Sequence, residues 1–434
     1  MNNATPVQCC RAWLAAIASL LIVLSTATAA FAQAQTQPSQ GLTLDPEANA
    51  APLSPNAIQS RIDQAQASPA GLFPYSPVSV IDPLWRDVNR QTQKVGLTLG
   101  LNYTMVYQAA SNGPGVRDAA GGSIDLFGDW QLLGKKNDPS SGRLYFEVED
   151  RHAVITPIPP ASLSGQIGSL WKTTDGFQEE AFTMREFYWE QHIGGNFLIA
   201  RIGKLDAEQY YGSNYWASDR LYFLNQAFSG TPAIAIPSKG LGANLTLRPS
   251  DLWFVSVGTQ DAEGKATTGG FNTLFEDFNL FSAVDLGFTP TIPGLGKGTY
   301  RFTGWYRDDG KSQGTPHDAG FGCSFDQHVG PNLIPFFKCG FNQGNDCKVE
   351  DMIAAGIGWQ GKLLSPSDVI GLAGSWGRPS DHDLRDQYAA EAFYRMQVAR
   401  DIQLTVGYQA IFDPSKAPGD DVVGVFEFRW GISF

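Results

Sequence analysis

Arg143, Glu147, Glu149 and Arg151 fall on alternate positions of one short stretch, with Tyr145 among them and Leu144, Phe146 and Val148 in between. A period of two is the period of an extended strand, so the four charges share one face. Burying such a face in a dry core costs several kcal/mol per ion. The charges therefore need water or one another. Two guanidinium groups beside two carboxylates set up a transverse field and offer paired hydrogen-bonding partners to a small polar solute. The theme recurs. Glu186, Tyr188, Glu190 and His192 share one parity, Arg201 sits in the alternating stretch 197–205, and Arg301, Trp305 and Arg307 share a face with Thr303. Trp216 lies in a long aromatic-rich connection. The residues expected to line a water-filled passage are thus Arg143, Glu147, Glu149, Arg151, Glu186, Glu190, Arg201, Trp216, Arg301, Trp305 and Arg307.

The elements that position them are long strands. Residues 95–108 alternate without a break, Val95, Leu97, Leu99, Leu101, Tyr103, Met105 and Tyr107 against small and polar partners. That exceeds the usual strand of about five or six residues and suits a tilted bilayer-spanning strand of about nine to eleven. The chain ends in the same way. Phe426, Phe428, Trp430, Ile432 and Phe434 form one face of the last strand, Glu427 and Arg429 the other. The aromatic face is expected to meet lipid and the charged face a lumen. Turn signals separate further alternating stretches from residue 95 onwards. Dividing the remaining length by roughly 21 residues per strand and connection gives about sixteen strands, the size class that leaves an aqueous channel. The fold class is all-β, a transmembrane antiparallel β-barrel of the outer-membrane porin type, closed by pairing the last strand with residues 95–108.

Composition sets the compartment. A single positive charge at Arg11 precedes an apolar run from Trp13 to Leu24 and a closing Ala30-Phe31-Ala32, which is the layout of a secretory signal peptide over residues 1–32. Its removal takes away only Arg11, so the formal charge of −12 becomes −13. An acidic chain without basic clusters excludes nucleic acid as a partner. Residues 33–80 are rich in Ala, Gln, Pro and Ser and are expected to be a mostly extended, solvated periplasmic segment, with one short helix over 56–66 capped by Asn56. The barrel domain is expected over 81–434. Cys9 and Cys10 leave with the signal; of Cys323, Cys339 and Cys347, two can close a disulfide within a long connection and leave one over. Their spacing with His317 and His328 matches no zinc pattern, so neither metal nor cofactor is expected.

The longest seam, residues 206–238, holds Tyr210, Tyr211, Asn214, Tyr215, Trp216, Asp219, Arg220, Tyr222 and Asn225. Loops of this length are usually functional. Aromatic faces beside carboxylates, amides and Arg have the chemistry that binds sugars; the same rings could equally pack the loop onto itself or onto the barrel rim. The stretches IGKLDAEQYYGSNYWASDRLYFLNQAF, YAAEAFYRMQVARDIQLTVGYQAIFDP and VGVFEFRWGISF resemble the carbohydrate-selective porins of the OprB family, over roughly residues 84–434. The resemblance implies a sixteen-stranded barrel in the outer membrane of a Gram-negative bacterium. It would pass glucose-type monosaccharides by diffusion past Arg, Glu and Trp side chains at a loop-narrowed constriction, as a monomer or homotrimer. Outer-membrane lipid would surround it, and Phe434 would be read by the barrel-assembly machinery.

Two further readings stay open at this level: a general porin that sorts small hydrophilic solutes by size, and a soluble periplasmic sugar-binding β-protein. An enzyme is not expected. Of the five His, only His382 has adjacent carboxylates, and no nucleophile stands beside it.

Overall fold

The computed structural model describes residues 53–434 except 68, 81, 136, 137, 311–313 and 315. The signal peptide expected over 1–32, and the chain up to residue 52, lie outside the described residues.

Alternating sequence becomes alternating burial, and the strands close on themselves. In chain order they are β1 (Leu97–Ala110), β2 (Asp118–Leu133), β3 (Ser140–Ala153), β4 (Glu180–Ile193), β5 (Leu198–Leu205), β6 (Gly240–Ser250), β7 (Trp253–Asp261), β8 (Leu280–Phe288), the two-residue β9 (Thr291–Ile292), β10 (Gly296–Arg307), β11 (Asp318–Gln327), β12 (Leu333–Asn342), β13 (Val349–Gly361), β14 (Asp368–Pro379), β15 (Gln387–Ala399), β16 (Ile402–Phe412) and β17 (Val422–Ser433). Sixteen long strands pair antiparallel with their neighbours, β10 taking up beside β8. The last returns to the first, with Tyr103 opposite Ile432 and Gln108 opposite Glu427. Closure leaves no edge whose backbone groups would be unpaired in lipid.

The strand faces follow the parity expected from sequence. On β17, Phe426 is 46% exposed while Glu427 and Arg429 are 2% exposed, so the aromatic side looks outward and the ion pair inward. Phe187, Phe302, Leu372 and Tyr408 are likewise exposed on the outer face. Among the described residues no helix is long and apolar enough to cross a membrane; the strands do the crossing.

Two expectations need correction. The segment before residue 80 is not simply extended and solvated. The short helix expected over 56–66 is there as α1 (Ile58–Ala67), but one face of it is buried; a second helix, α2 (Asp82–Gln93), leads into β1. Ile58 and Ile62, one helical turn apart, are buried against Phe127, Tyr145 and Tyr188 on the inner face of β2–β4. An isoleucine pair at i, i+4 gives α1 an apolar stripe that the scattered prolines around it obscure. Nor do the cysteines staple a long connection. Cys323 and Cys339 are directly paired positions of β11 and β12 and form the disulfide there, while Cys347 stays free and buried. The stretch around them is strand, because Phe321, Cys323 and Phe325 alternate with Gly322, Ser324 and Asp326.

Residues 206–239, between β5 and β6, fold into the lumen. Trp216, Phe223 and Phe228 are fully buried, packed with Ile334, Phe336, Met352 and Phe393 of the opposite wall. One half of the lumen is thus filled as a core, and the passage is pressed against β2–β4.

Candidate functional site

β2, β3 and β4 present a belt of charge to the remaining space. Asp125, Glu147, Glu149 and Arg151 all point inward and are at most 6% exposed. A register irregularity against Glu147 and Val148 inserts one extra residue in β4, with Glu147 opposite Glu186 and Val148 opposite Met184. The bulge turns both Arg185 and Glu186 into the lumen, although their parities differ. Two further guanidinium groups arrive from outside the wall, Arg61 from α1 and Arg220 from the lumen loop.

Glu149 is the hub. Arg220 lies 2.5 Å from it, Arg185 2.6 Å and Arg151 2.7 Å, and Ser123 donates to it at 2.9 Å. Asp125 meets Arg61 at 3.0 Å and Arg220 at 3.1 Å. Arg61 also pairs with Glu147, and its guanidinium lies 4.3 Å from the Phe127 ring centroid. Gln209 donates to Glu186 at 2.6 Å. Burial alone would lower the Arg220 guanidinium, but Asp125, Glu149 and Asp219 outweigh it and hold the group well above its ordinary value. Arg220 is a permanent cation here. Four guanidinium groups (Arg61, Arg151, Arg185, Arg220) face four carboxylates (Asp125, Glu147, Glu149, Glu186). Cations and anions lie side by side in the belt, which gives it a strong local field.

Two cavities meet at this belt. One of about 530 Å³ opens on the long-loop side and is lined by Glu147, Glu149, Arg151, Arg185, Glu186 and Arg220, among others. The second, about 250 Å³, lies on the side of the chain's C-terminus. Asn56, Arg61 and Arg220 border both, so they mark where the two cavities adjoin. Beside the larger cavity, Lys239 pairs with Asp206 at 2.7 Å. Burial raises the Asp206 carboxyl, yet Lys239 overcomes that and brings it below its ordinary value. Glu208 goes the other way: burial, then the neighbouring Asp175, push its carboxyl well up.

The residues expected from sequence divide accordingly. Glu147, Glu149, Arg151, Glu186 and Arg307 line the larger cavity, Arg307 paired with Asp346. Arg143, Glu190 and Arg201 face inward but border none of the cavities described here: Arg143 pairs with Asp129 at 3.1 Å, and Arg201 with Glu190 at 2.6 Å while lying 5.1 Å from the Tyr210 ring centroid. Arg301, with Tyr215, Tyr222 and Asp326, borders a separate cavity of about 300 Å³. Trp216 and Trp305 are 0% and 1% exposed. Trp216 Nε1 donates to the Ile334 carbonyl at 3.0 Å, and Trp305 packs on Phe281 with centroids 6.2 Å apart. Both are wall and loop anchors rather than cavity lining.

Sequence reasoning missed Asp125, Arg185 and Arg61 as members of the belt, whereas Arg220 stands among the sugar-binding candidates of the seam 206–238. Asp125 was within reach, since it shares its parity with Asp129 in β2. The bulge conceals Arg185, and the low-complexity setting conceals Arg61.

A closed sixteen-stranded barrel enclosing a constricted, charge-lined lumen defines a diffusion porin. The chain belongs to the carbohydrate-selective porin, OprB family, whose family model matches residues 160–434, well over half of it. Two solved structures of Pseudomonas putida OprB are similar. The high-pH form shares 15% identity over 81% of this chain and 97% of that chain at a TM-score of 0.66; the low-pH form shares 14% over 81% and 96% at 0.54. At these identities the likeness is one of fold. Curated protein sequences yield no match. Family and fold make the chain a channel for small solutes in a Gram-negative outer membrane, not an enzyme.

Proposed function

We propose that this chain passes uncharged monosaccharides of the glucose type through the gap beside Arg61 and Arg220. The observation that carries this is the belt of four guanidinium groups and four carboxylates where the two cavities meet. A ring of one sign would hold or reject ions. A mixed one instead supplies donors and acceptors side by side, which vicinal hydroxyls can engage on both sides at once. Glu147, Glu149, Arg151 and Glu186, with Arg61, Arg185 and Arg220, are the contacts in this reading. Because most of these groups are already ion-paired with one another, a sugar exchanges partners as it passes, and binding stays shallow enough for release. Export by the leader over residues 1–32, and assembly through the terminal Phe434, complete the reading.

Liposome swelling tests it. Glucose should enter faster than a neutral amino acid of equal size, and larger sugars more slowly than both. Entry in order of size alone would make the chain a general porin and end the sugar-selective reading.

A further inference from the structure

The cavity on the C-terminal side of the constriction holds a cluster of buried acceptors with no donor among the described residues. Among the described residues both carboxylate oxygens of Asp401 lack a hydrogen-bond partner, although the residue is nine-tenths buried. Asn102 Oδ1 and Gln397 Oε1 are buried without a donor as well. All three residues line the same space of about 250 Å³. Their positions are held by the fold. Ser433 N–H donates to the Asp401 carbonyl at 3.0 Å, tying that turn to the last strand. Gln397 Nε2 is taken up by the Ala399 carbonyl at 2.8 Å, which fixes its free oxygen. Across the cavity α2 contributes Trp85, whose ring lies 6.5 Å from that of Phe434, and Asn89, whose Oδ1 accepts from Leu99 N–H at 2.9 Å.

A buried carboxylate left without donors is costly, and native proteins seldom leave one so. A polyhydroxylated solute entering this space brings several donors at once, and meets Arg61, Arg86, Arg220 and Arg400 on the same lining. An indole face beside amides and a carboxylate is the chemistry that holds a pyranose, with its C–H face on the ring and its hydroxyls on the oxygens. We propose that this cavity is a second sugar station, on the inner side of the constriction, where Asp401, Asn102 and Gln397 accept from the sugar hydroxyls and Trp85 packs against its ring. The inference rests on the sugar-permeation reading above and adds an address to it. It also gives the N-terminal helices a role: α1 and α2 form the inner lining of that station. Two shallow stations in file allow a sugar to leave the belt without first returning to bulk water.

The test is sugar block of single channels in a planar bilayer, with glucose added to one side at a time. Asp401→Asn preserves shape and removes the charge; Trp85→Leu removes the aromatic face. Each should weaken block by glucose from the side of the chain's C-terminus about tenfold, the loss expected for a charged hydrogen bond or a stacking surface. Block from the long-loop side should stay as in the unsubstituted chain. Heat-modifiable gel mobility establishes that the variants are folded. Equal weakening from both sides, or none from either, overturns the station. So does block from the C-terminal side that disappears with EDTA, since the oxygens would then hold a cation. If the unsubstituted channel is blocked from neither side, the sugar-permeation reading itself falls; if it is blocked and the variants match it, only the second station falls.

Discussion

The two walls of the lumen are built from the same strand grammar and do opposite work. On β2–β4 a run of charged inward positions leaves space beside the rings of Phe127, Tyr145 and Tyr188 that hold α1; on β12–β15 the inward Ile334, Phe336, Met352, Val369 and Phe393, with Lys338 and Glu391 bonded to the loop, meet a filled space. The filling comes mainly from residues 206–239, joined by Leu170 and Trp171 of the connection between β3 and β4. The Trp216 and Tyr222 rings lie 4.8 Å apart, and Phe223 meets Phe393 edge-on at 4.9 Å. Glycines make the close approach feasible. A Cβ at Gly358 would sit 2.0 Å from the Trp216 ring, and one at Gly371 would sit 2.2 Å from Phe393 and 2.8 Å from Phe223. The difference teaches where selectivity originates. The apolar wall sets how wide the passage is, by anchoring the loop; the charged wall sets what the passage prefers.

The largest effect should come from loosening the anchor. Trp216→Ala removes the ring at the centre of the apolar cluster, a change that costs about 3–5 kcal/mol in a packed core. The loop should leave the wall, single-channel conductance should rise severalfold, and discrimination between sugars of different size should fall. Conductance equal to that of the unsubstituted channel would show that the pairs of Arg220 hold the loop by themselves, and the division of labour between the walls would not stand. An intermediate effect is expected on the other side. Arg61→Ala leaves Asp125 and Glu147 short of a partner, at a cost of about 1.5–3 kcal/mol for hydrogen bonds to a charged group. Loss of one cation from the belt should shift the reversal potential in a KCl gradient toward cation preference, with conductance little changed. A shift toward anions, or none, would place Arg61 outside the ion path.

How much of this could be seen in the residue order follows from the same contrast. Strand existence, the inward face of β3 and the closure of β17 on β1 rest on period-two alternation, which is a local property and is written directly into the chain. The path of residues 206–239 is not local. A run of aromatics beside Asp, Asn and Arg reads equally well as a sugar platform or as packing, and only the facing wall, more than a hundred residues further on, decides for packing at Trp216. Arg185 was hidden for a different reason. A one-residue bulge reverses parity, so two adjacent residues share a face that alternation forbids. Arg61 sits in a segment whose composition argues against order, and its helix gains its stability from the lumen it enters rather than from its own propensity.

The smallest effect concerns the seam between the walls. Glu208, at the start of the lumen loop, has its carboxyl pushed up by burial and by Asp175, with Asp206 adding to the rise and Lys239 opposing it. A carboxyl whose value in the docked loop lies above its free value of about 4.3 holds its proton more tightly when docked. Docking is therefore favoured most at acid pH, and that contribution is lost as pH rises through the docked value. The Asp206–Lys239 pair has the reverse sign on its acidic member, so it keeps the loop docked above the acid range and weakens only at lower pH. Flicker in the open-channel current should accordingly grow as pH is raised through the docked value of Glu208. Glu208→Gln, which keeps the shape and cannot ionise, should flatten that profile while leaving mean conductance and sugar block near their unsubstituted values. A pH profile identical to that of the unsubstituted chain would remove Glu208 from the seam and leave the loop's docking to Trp216 on one wall and Arg220 on the other.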